Sequence, residues 1–299
     1  MAMEIQQIIS IPPLYSGGQK LSFWQNFFKG LDASMTTPST LGWYHFLCLA
    51  LVIGLCVVIA IYCKNLSDKQ YDKILLFVSI ALWAFELYKQ LNFSYNWKNN
   101  SWDYHWYAFP FQFCSTPMYV MPVSLIFRKK KCIRDACRAY LATYALFAGL
   151  AVMAYPGDVF VETIGINVQT MIHHGSMVVI GVLTWVSGKA KCNHKTILHA
   201  LPAFASLVAV AMSANILWHF VGNEETFNMF FISPYLNSTL PILSMIQPIV
   251  PYPVFLLGYI IGFTTAGYVM ILLAMLFNTI SQKIRNAVQN KKTQKQIKE

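Results

Sequence analysis

Residues 41–63 read LGWYHFLCLALVIGLCVVIAIYC and run straight into Lys64. The stretch holds no Lys, Arg, Asp or Glu, and its one histidine, His45, sits beside Trp43 and Tyr44 at the opening. A helix rising 1.5 Å per residue needs about 20 such residues to cross ~30 Å of hydrocarbon. Comparable stretches lie at about 74–93, 107–127, 138–155, 168–188, 198–218 and 251–277. The gaps at 64–73, 128–137 and 189–197, with Arg138 and the tail from 278, hold eighteen of the twenty-two Lys and Arg residues. The alternate gaps hold only Lys20, Lys29 and Lys98, while Lys89 falls inside a span. The pattern predicts an all-α polytopic membrane protein of seven transmembrane helices, N-terminus outside and C-terminus cytoplasmic. The expected location is the cell membrane, as a multi-pass protein.

The composition leaves no room for a soluble domain: 56% of the 299 residues are apolar and 11% charged. The expected organisation is an external N-terminal segment over 1–40, a membrane domain over 41–277 and a basic cytoplasmic tail over 278–299. The net charge of +10 belongs to loops and tail. It points to membrane orientation and anionic lipid rather than to nucleic acid. The opening Met1-Ala2-Met3-Glu4 lacks the basic and apolar regions of a cleaved signal. Within 20–31, Leu21, Phe23, Trp24, Phe27, Phe28 and Leu31 recur at helical spacing, which predicts a short amphipathic helix at the outer headgroup layer. The gap 219–250 has no Lys or Arg but is rich in aromatics and proline, as expected of a segment folded over the outer mouth. The tail is expected to be disordered or a surface helix.

Ionisable and nucleophilic groups inside spans are functional candidates by default. Here they gather at one depth. Glu86 and Lys89 end the second span, Cys114 lies in the outer part of the third, and His173 and His174 in the outer part of the fifth. Asn215 closes the sixth, and His45 and Cys48 open the first. The inner halves are almost wholly apolar. Glu86 and Lys89, three apart on a helix, also suit simple mutual neutralisation. A thiol becomes a strong nucleophile once an imidazole takes its proton. A cysteine and a histidine on facing helices at this level could meet the ester bonds of a phospholipid, with prolines 110, 117 and 122 opening space around Cys114.

The run Phe109-Pro110-Phe111-Gln112-Phe113-Cys114, the pair His174-Gly175 and the run Asn228-Met229-Phe230-Phe231 followed by Pro251-Tyr252 together look familiar. Over roughly 40–280 the chain resembles a YwaF-like family of integral membrane proteins that includes a vertebrate acyltransferase of ether-phospholipid metabolism. The resemblance implies acyl transfer from a phospholipid through a cysteine thioester to a lipid or other membrane acceptor. It places the nucleophile on Cys114 and the base on His174, within about 3–5 Å of each other. Supporting roles fall to His173, Glu86, Gln112, Asn215 and Asn228. Gln112 stands where bacterial members often carry histidine. No cofactor and no metal are required, and membrane phospholipids are the expected partners. A metal-ion or small-solute transporter, with His45-x-x-Cys48 presenting two ligands, and a membrane sensor are the alternatives.

Overall fold

A computed structural model describes residues 20–222 and 226–298. The reading of Met1–Glu4, like all of 1–19, lies outside the described residues. Helices α1 (Phe23–Leu31), α2 (Trp43–Tyr62), α3 (Asp68–Ser94), α4 (Pro117–Ile126), α5 (Lys131–Tyr140) and α6 (Leu146–Ala154) come first in chain order. They are followed by α7 (Ile164–Val186), α8 (Thr196–Val221), the single turn α9 (Leu243–Ile246) and α10 (Tyr252–Lys298). Among the described residues the sheet content is one two-residue antiparallel pair, β1 (Tyr95–Asn96) with β2 (Ser101–Trp102). The all-α polytopic fold expected from the sequence holds.

Among the described residues six helices are long and apolar enough to cross a membrane, the continuous α5–α6 segment Lys131–Ala154 counting as one. The third apolar stretch departs from expectation. It is not a helix over 107–127 but a short apolar piece, Phe113–Ile126, which opens with a 3-10 turn and is preceded by another at Trp106–Ala108. Proline explains the break. A proline cannot donate to the helical ladder and clashes with the carbonyl four residues back, whereas it suits the first helical position. Pro117 duly opens α4, and only Pro122 is tolerated inside it. Other boundaries move too, the fourth span beginning at Lys131 rather than 138. The second span begins at Asp68 rather than near 74, because Ser67 and Gln70 form a reciprocal capping box. The last helix runs on through the tail to Lys298 instead of ending at 277; the Lys, Arg and Gln that fill it are good helix formers.

The burial of each helix gives its place in the bundle. In the apolar stretches of the α5–α6 and α7 spans 72% of the residues are buried, while in α2 only 11% are, and it displays leucines, isoleucines and valines outward. Such a surface is stable only in lipid. The central pair α6 and α7 approaches closely because glycine faces a neighbour on each side. A Cβ on Gly149 would lie 2.7 Å from Met177 Cβ, and one on Gly181 2.7 Å from Leu146 Cβ. Small residues at a crossing let two membrane helices bring their backbones together. Between α5 and α6 the chain makes one π turn, Leu141–Ala145, wholly buried. The wider turn displaces a carbonyl from the ladder, and Trp185 Nε1 donates to Ala142 O at 2.7 Å.

At the basic end, Arg138 is buried and ties α5 to α3. Its guanidinium donates to Asp68 Oδ1 at 3.0 Å and Asp72 Oδ1 at 3.1 Å, and lies 5.0 Å over the Tyr71 ring. Lys189 joins Asp68 at 3.0 Å. At the other end α1 docks through Phe28, whose ring lies 4.3 Å from that of Tyr95, while Tyr88 donates to Leu31 O at 2.9 Å.

Candidate active site

Cys114 is in the 3-10 turn Phe113–Ser115, on the irregular stretch that leads into α4 and not on an α-helix. Irregular backbone at membrane depth must find partners within the protein, and nearly every carbonyl here does. Gln90 Nε2 donates to Ala108 O at 2.8 Å, Tyr119 to Pro110 O at 2.7 Å, and Thr116 to Phe113 O at 2.7 Å. The carbonyl of Cys114 itself accepts from His173 Nε2 at 2.9 Å. A second tie follows at once, where the Thr116 and Tyr140 hydroxyls lie 2.6 Å apart. Tyr140 immediately precedes the π turn, so that turn and the thiol segment are fixed to one another.

The two histidines have different tasks. A carbonyl only accepts, so His173 carries its proton on Nε2 and His174, bonded through Nδ1 to Thr170 O at 2.8 Å, carries its proton on Nδ1. The lone pairs left over, His173 Nδ1 and His174 Nε2, are buried with no partner among the described residues. His174 is therefore held as a neutral imidazole with a free basic nitrogen, the form a proton acceptor requires. It is held tightly: a Cβ on Gly149 would come 2.8 Å from His174 O, and one on Gly175 2.7 Å from a Val52 methyl. Among the described residues no hydrogen bond joins the Cys114 thiol to either ring. Contact with residue 114 comes from His173, because His174 folds back on its own helix and adjacent helical positions point about 100° apart.

Glu86 is buried. One carboxylate oxygen takes Lys89 Nζ at 2.7 Å and Gln90 Nε2 at 2.7 Å; the other has no partner among the described residues. It contacts neither imidazole by hydrogen bond, so its arrangement is the neutralised pair rather than the third member of a triad. Lys89 is within electrostatic reach of Cys114, His173 and His174. Just outside the span, burial and then the Glu86 charge raise the Tyr104 phenol above its ordinary value.

Gln112, Asn215 and Asn228 converge on the outer loop. Gln112 accepts from Phe230 N at 3.0 Å and donates to Asn228 O at 3.1 Å. Asn215 accepts from Met229 N at 2.7 Å and donates to Met229 O at 2.9 Å. Asn228 accepts from Ser233 N at 2.9 Å and donates to Asn237 O at 3.2 Å. These amides clamp the loop instead of meeting the thiol. The clamp holds Phe230 and Phe231 at φ of 58° and 56°, a left-handed conformation costing non-glycine residues about 1–2 kcal/mol each. Phe230 is fully buried, 5.7 Å ring to ring from Phe111 and 5.6 Å from Phe113. A strained plug thus lies on the two aromatics that closely precede Cys114 in sequence.

His45 is occupied structurally: Nδ1 accepts from Leu41 N at 3.0 Å and Nε2 lies 2.7 Å from Met153 O. It is not free to join Cys48 on a metal. Among the described residues no group of three or more His, Cys, Asp or Glu is arranged to hold one. Several contributors escaped the sequence reading, among them Thr116, Tyr119, Tyr140, Gln90 and Gly149. Gln90 could have been found four residues after Glu86 on the same helical face; Gly149 has no signature without its partner helix.

The fold and this cluster define a class: an all-α, multi-pass membrane protein with a thiol on an unwound segment beside a buried histidine pair. Within that class the chain belongs to the TMEM164 family, whose model matches residues 39–281. This corrects the resemblance to a YwaF-like family, since the match is to TMEM164 and nothing points to YwaF-like acyltransferases. The motifs that carried the resemblance have packing explanations here, with Phe111 and Phe113 seated on Phe230 and Gly175 admitting Val52. No curated protein and no solved structure matches the chain.

Proposed function

We propose that this protein moves a fatty acyl chain from a phospholipid, through a thioester on Cys114, to a lipid or other membrane acceptor. The observation that carries the reading is the free Nε2 of a neutral, immobilised His174 next in sequence to the histidine that holds the Cys114 carbonyl. Ordered imidazole and thiol are the two parts nucleophilic acyl transfer needs.

In the forward step the imidazole takes the thiol proton and the sulfur attacks the ester carbonyl carbon of the donor. A carbon–sulfur bond forms, the carbon–oxygen bond breaks, and the departing alkoxide recovers the proton from the imidazolium, leaving a lyso-lipid. In the second step the acceptor hydroxyl or amine loses its proton to the imidazole and attacks the thioester. The thiolate leaves and is reprotonated, so atoms and charges balance over the cycle. In this proposal His174 and the thiol come into contact by a shift of the turn that carries Cys114, which loosens its ties to His173 and Tyr140. Displacement of the Phe230 plug admits the acyl chain.

The reading includes seven crossings, with Phe113–Ile126 as a short third, the N-terminus outside, the C-terminus cytoplasmic and residence in the cell membrane. The Lys and Arg distribution supports that orientation. The test is intact mass of purified protein after incubation with phospholipid. An adduct of one fatty acyl group on Cys114, lost on treatment with hydroxylamine, is the expected result. No adduct with any phospholipid, together with full transfer activity in Cys114→Ala, would sink it.

A further inference from the structure

Away from the thiol, the basic end of the bundle has a second feature. A cavity of about 520 Å³ opens between the start of α3 and the end of α4, lined by Lys69, Asp72, Lys73, Leu76, Leu125 and Arg128. That volume is within the range of small-ligand sites, roughly 300–1,000 Å³. Lys69, Asp72, Lys73 and Leu76 follow the i, i+3, i+4, i+7 spacing of one helical face, so α3 turns a single stripe into the cavity. Three cations converge there, and among the described residues Lys69, Lys73 and Arg128 have no acidic partner within salt-bridge distance. The one carboxylate in the lining, Asp72, is already compensated by the buried Arg138 at 3.1 Å. The cavity therefore keeps a net positive character.

Its other pole is apolar. Beyond Leu76 the same face of α3 continues through exposed Ile80, Trp83 and Leu87, and α4 contributes Leu125. A ligand fitting both poles has an anionic head and a long apolar tail. We infer that this cavity binds the phosphate headgroup of an anionic phospholipid, with its acyl chains lying along the groove between α3 and α4. A free phosphate would use only the cationic pole. A diffuse attraction of surface lysines to lipid would need no cavity. The site is independent of Cys114.

The test uses the full chain, purified in mild detergent and examined by native mass spectrometry with phosphatidylglycerol, phosphatidylcholine or inorganic phosphate. Phosphatidylglycerol should be retained at least about 10-fold better than phosphatidylcholine, as expected when three cations near the surface contribute. The triple variant K69Q/K73Q/R128Q should lose that preference. K129Q/K130Q/K131Q removes the same charge just outside the cavity and should keep it. Leu125→Trp fills the cavity with every charge in place, so it tests the site even if the triple variant fails to fold; it should weaken binding as well. Equal losses in the two triple variants, unchanged binding in Leu125→Trp, or displacement of the lipid by equimolar inorganic phosphate would each overturn the assignment.

Discussion

His173 Nε2 donates to the main-chain carbonyl of Cys114 at 2.9 Å, while its neighbour His174 turns away and donates to Thr170 O at 2.8 Å. One histidine thus holds the backbone of the thiol segment, and the other keeps a basic nitrogen free. The division of labour follows from helix geometry, since adjacent residues cannot face the same neighbour. It separates the two residues experimentally.

For the chemistry, Cys114→Ala should abolish both thioester formation and lyso-lipid release. Cys114→Ser should be nearly as poor, because a hydroxyl needs far stronger activation than a thiol. His174→Ala should slow transfer by about 100-fold or more, the usual effect of losing a general base. Membranes supplied with a labelled phospholipid give the measurement. Wild-type rates in His174→Ala would remove the base from the scheme.

His173→Ala should show itself first in stability. It strips the Cys114 carbonyl of its donor in a buried setting, a loss of about 1–3 kcal/mol. The expected readout is a lower melting temperature in detergent, with activity reduced less than in His174→Ala at a temperature where both are folded. The opposite ranking of activities would exchange the two roles.

Asn215→Ala removes both side-chain hydrogen bonds to the Met229 main chain, leaving its buried N–H unpaired and its carbonyl with only the 3.4 Å bond from Ile232 N. At about 1–3 kcal/mol for the orphaned N–H, that should raise amide exchange over 229–232 by about 10-fold, since 1.4 kcal/mol is a factor of ten. Phe231→Gly should act in the other direction on the backbone by relaxing its φ of 56°. Hydrogen exchange read by peptide mass resolves both. Unchanged exchange in Asn215→Ala would mean that the side-chain clamp does not hold the plug.

Gly149→Val should be strongly destabilising. Even a Cβ there would lie 2.7 Å from Met177 Cβ and 2.8 Å from His174 O, so α6 and α7 would have to separate. Overpacking of this kind costs about 1–3 kcal/mol and would displace His174 with its helix. Thermal unfolding of Gly149→Ala and Gly149→Val should show graded losses; equal stability with wild type would contradict the close crossing.

Orientation can be read with tags. A tag after Lys129 should be protected in intact cells and one after Gly157 accessible, because basic residues flank the first and not the second. The reverse accessibility would invert the proposed topology, and with it the leaflet that supplies the acyl donor.

The sequence by itself determined the helical membrane class, because a run such as 41–63 has no stable alternative in lipid and every backbone group in it bonds locally. It also marked Cys114, His173, His174 and Glu86 as unusual by depth alone, since polar groups in hydrocarbon are costly wherever the chain goes next. Periodicity could not reveal that the third stretch unwinds before Pro117, that the chain makes a π turn at Leu141–Ala145, or that Gln112 and Asn215 serve the loop rather than the thiol. Each depends on a partner distant in sequence: His173 for the Cys114 carbonyl, Trp185 for the Ala142 carbonyl, Met229 for Asn215. Local hydropathy records whether a residue can enter the membrane. Only the packed bundle decides which orphaned carbonyl or amide each buried polar side chain must satisfy.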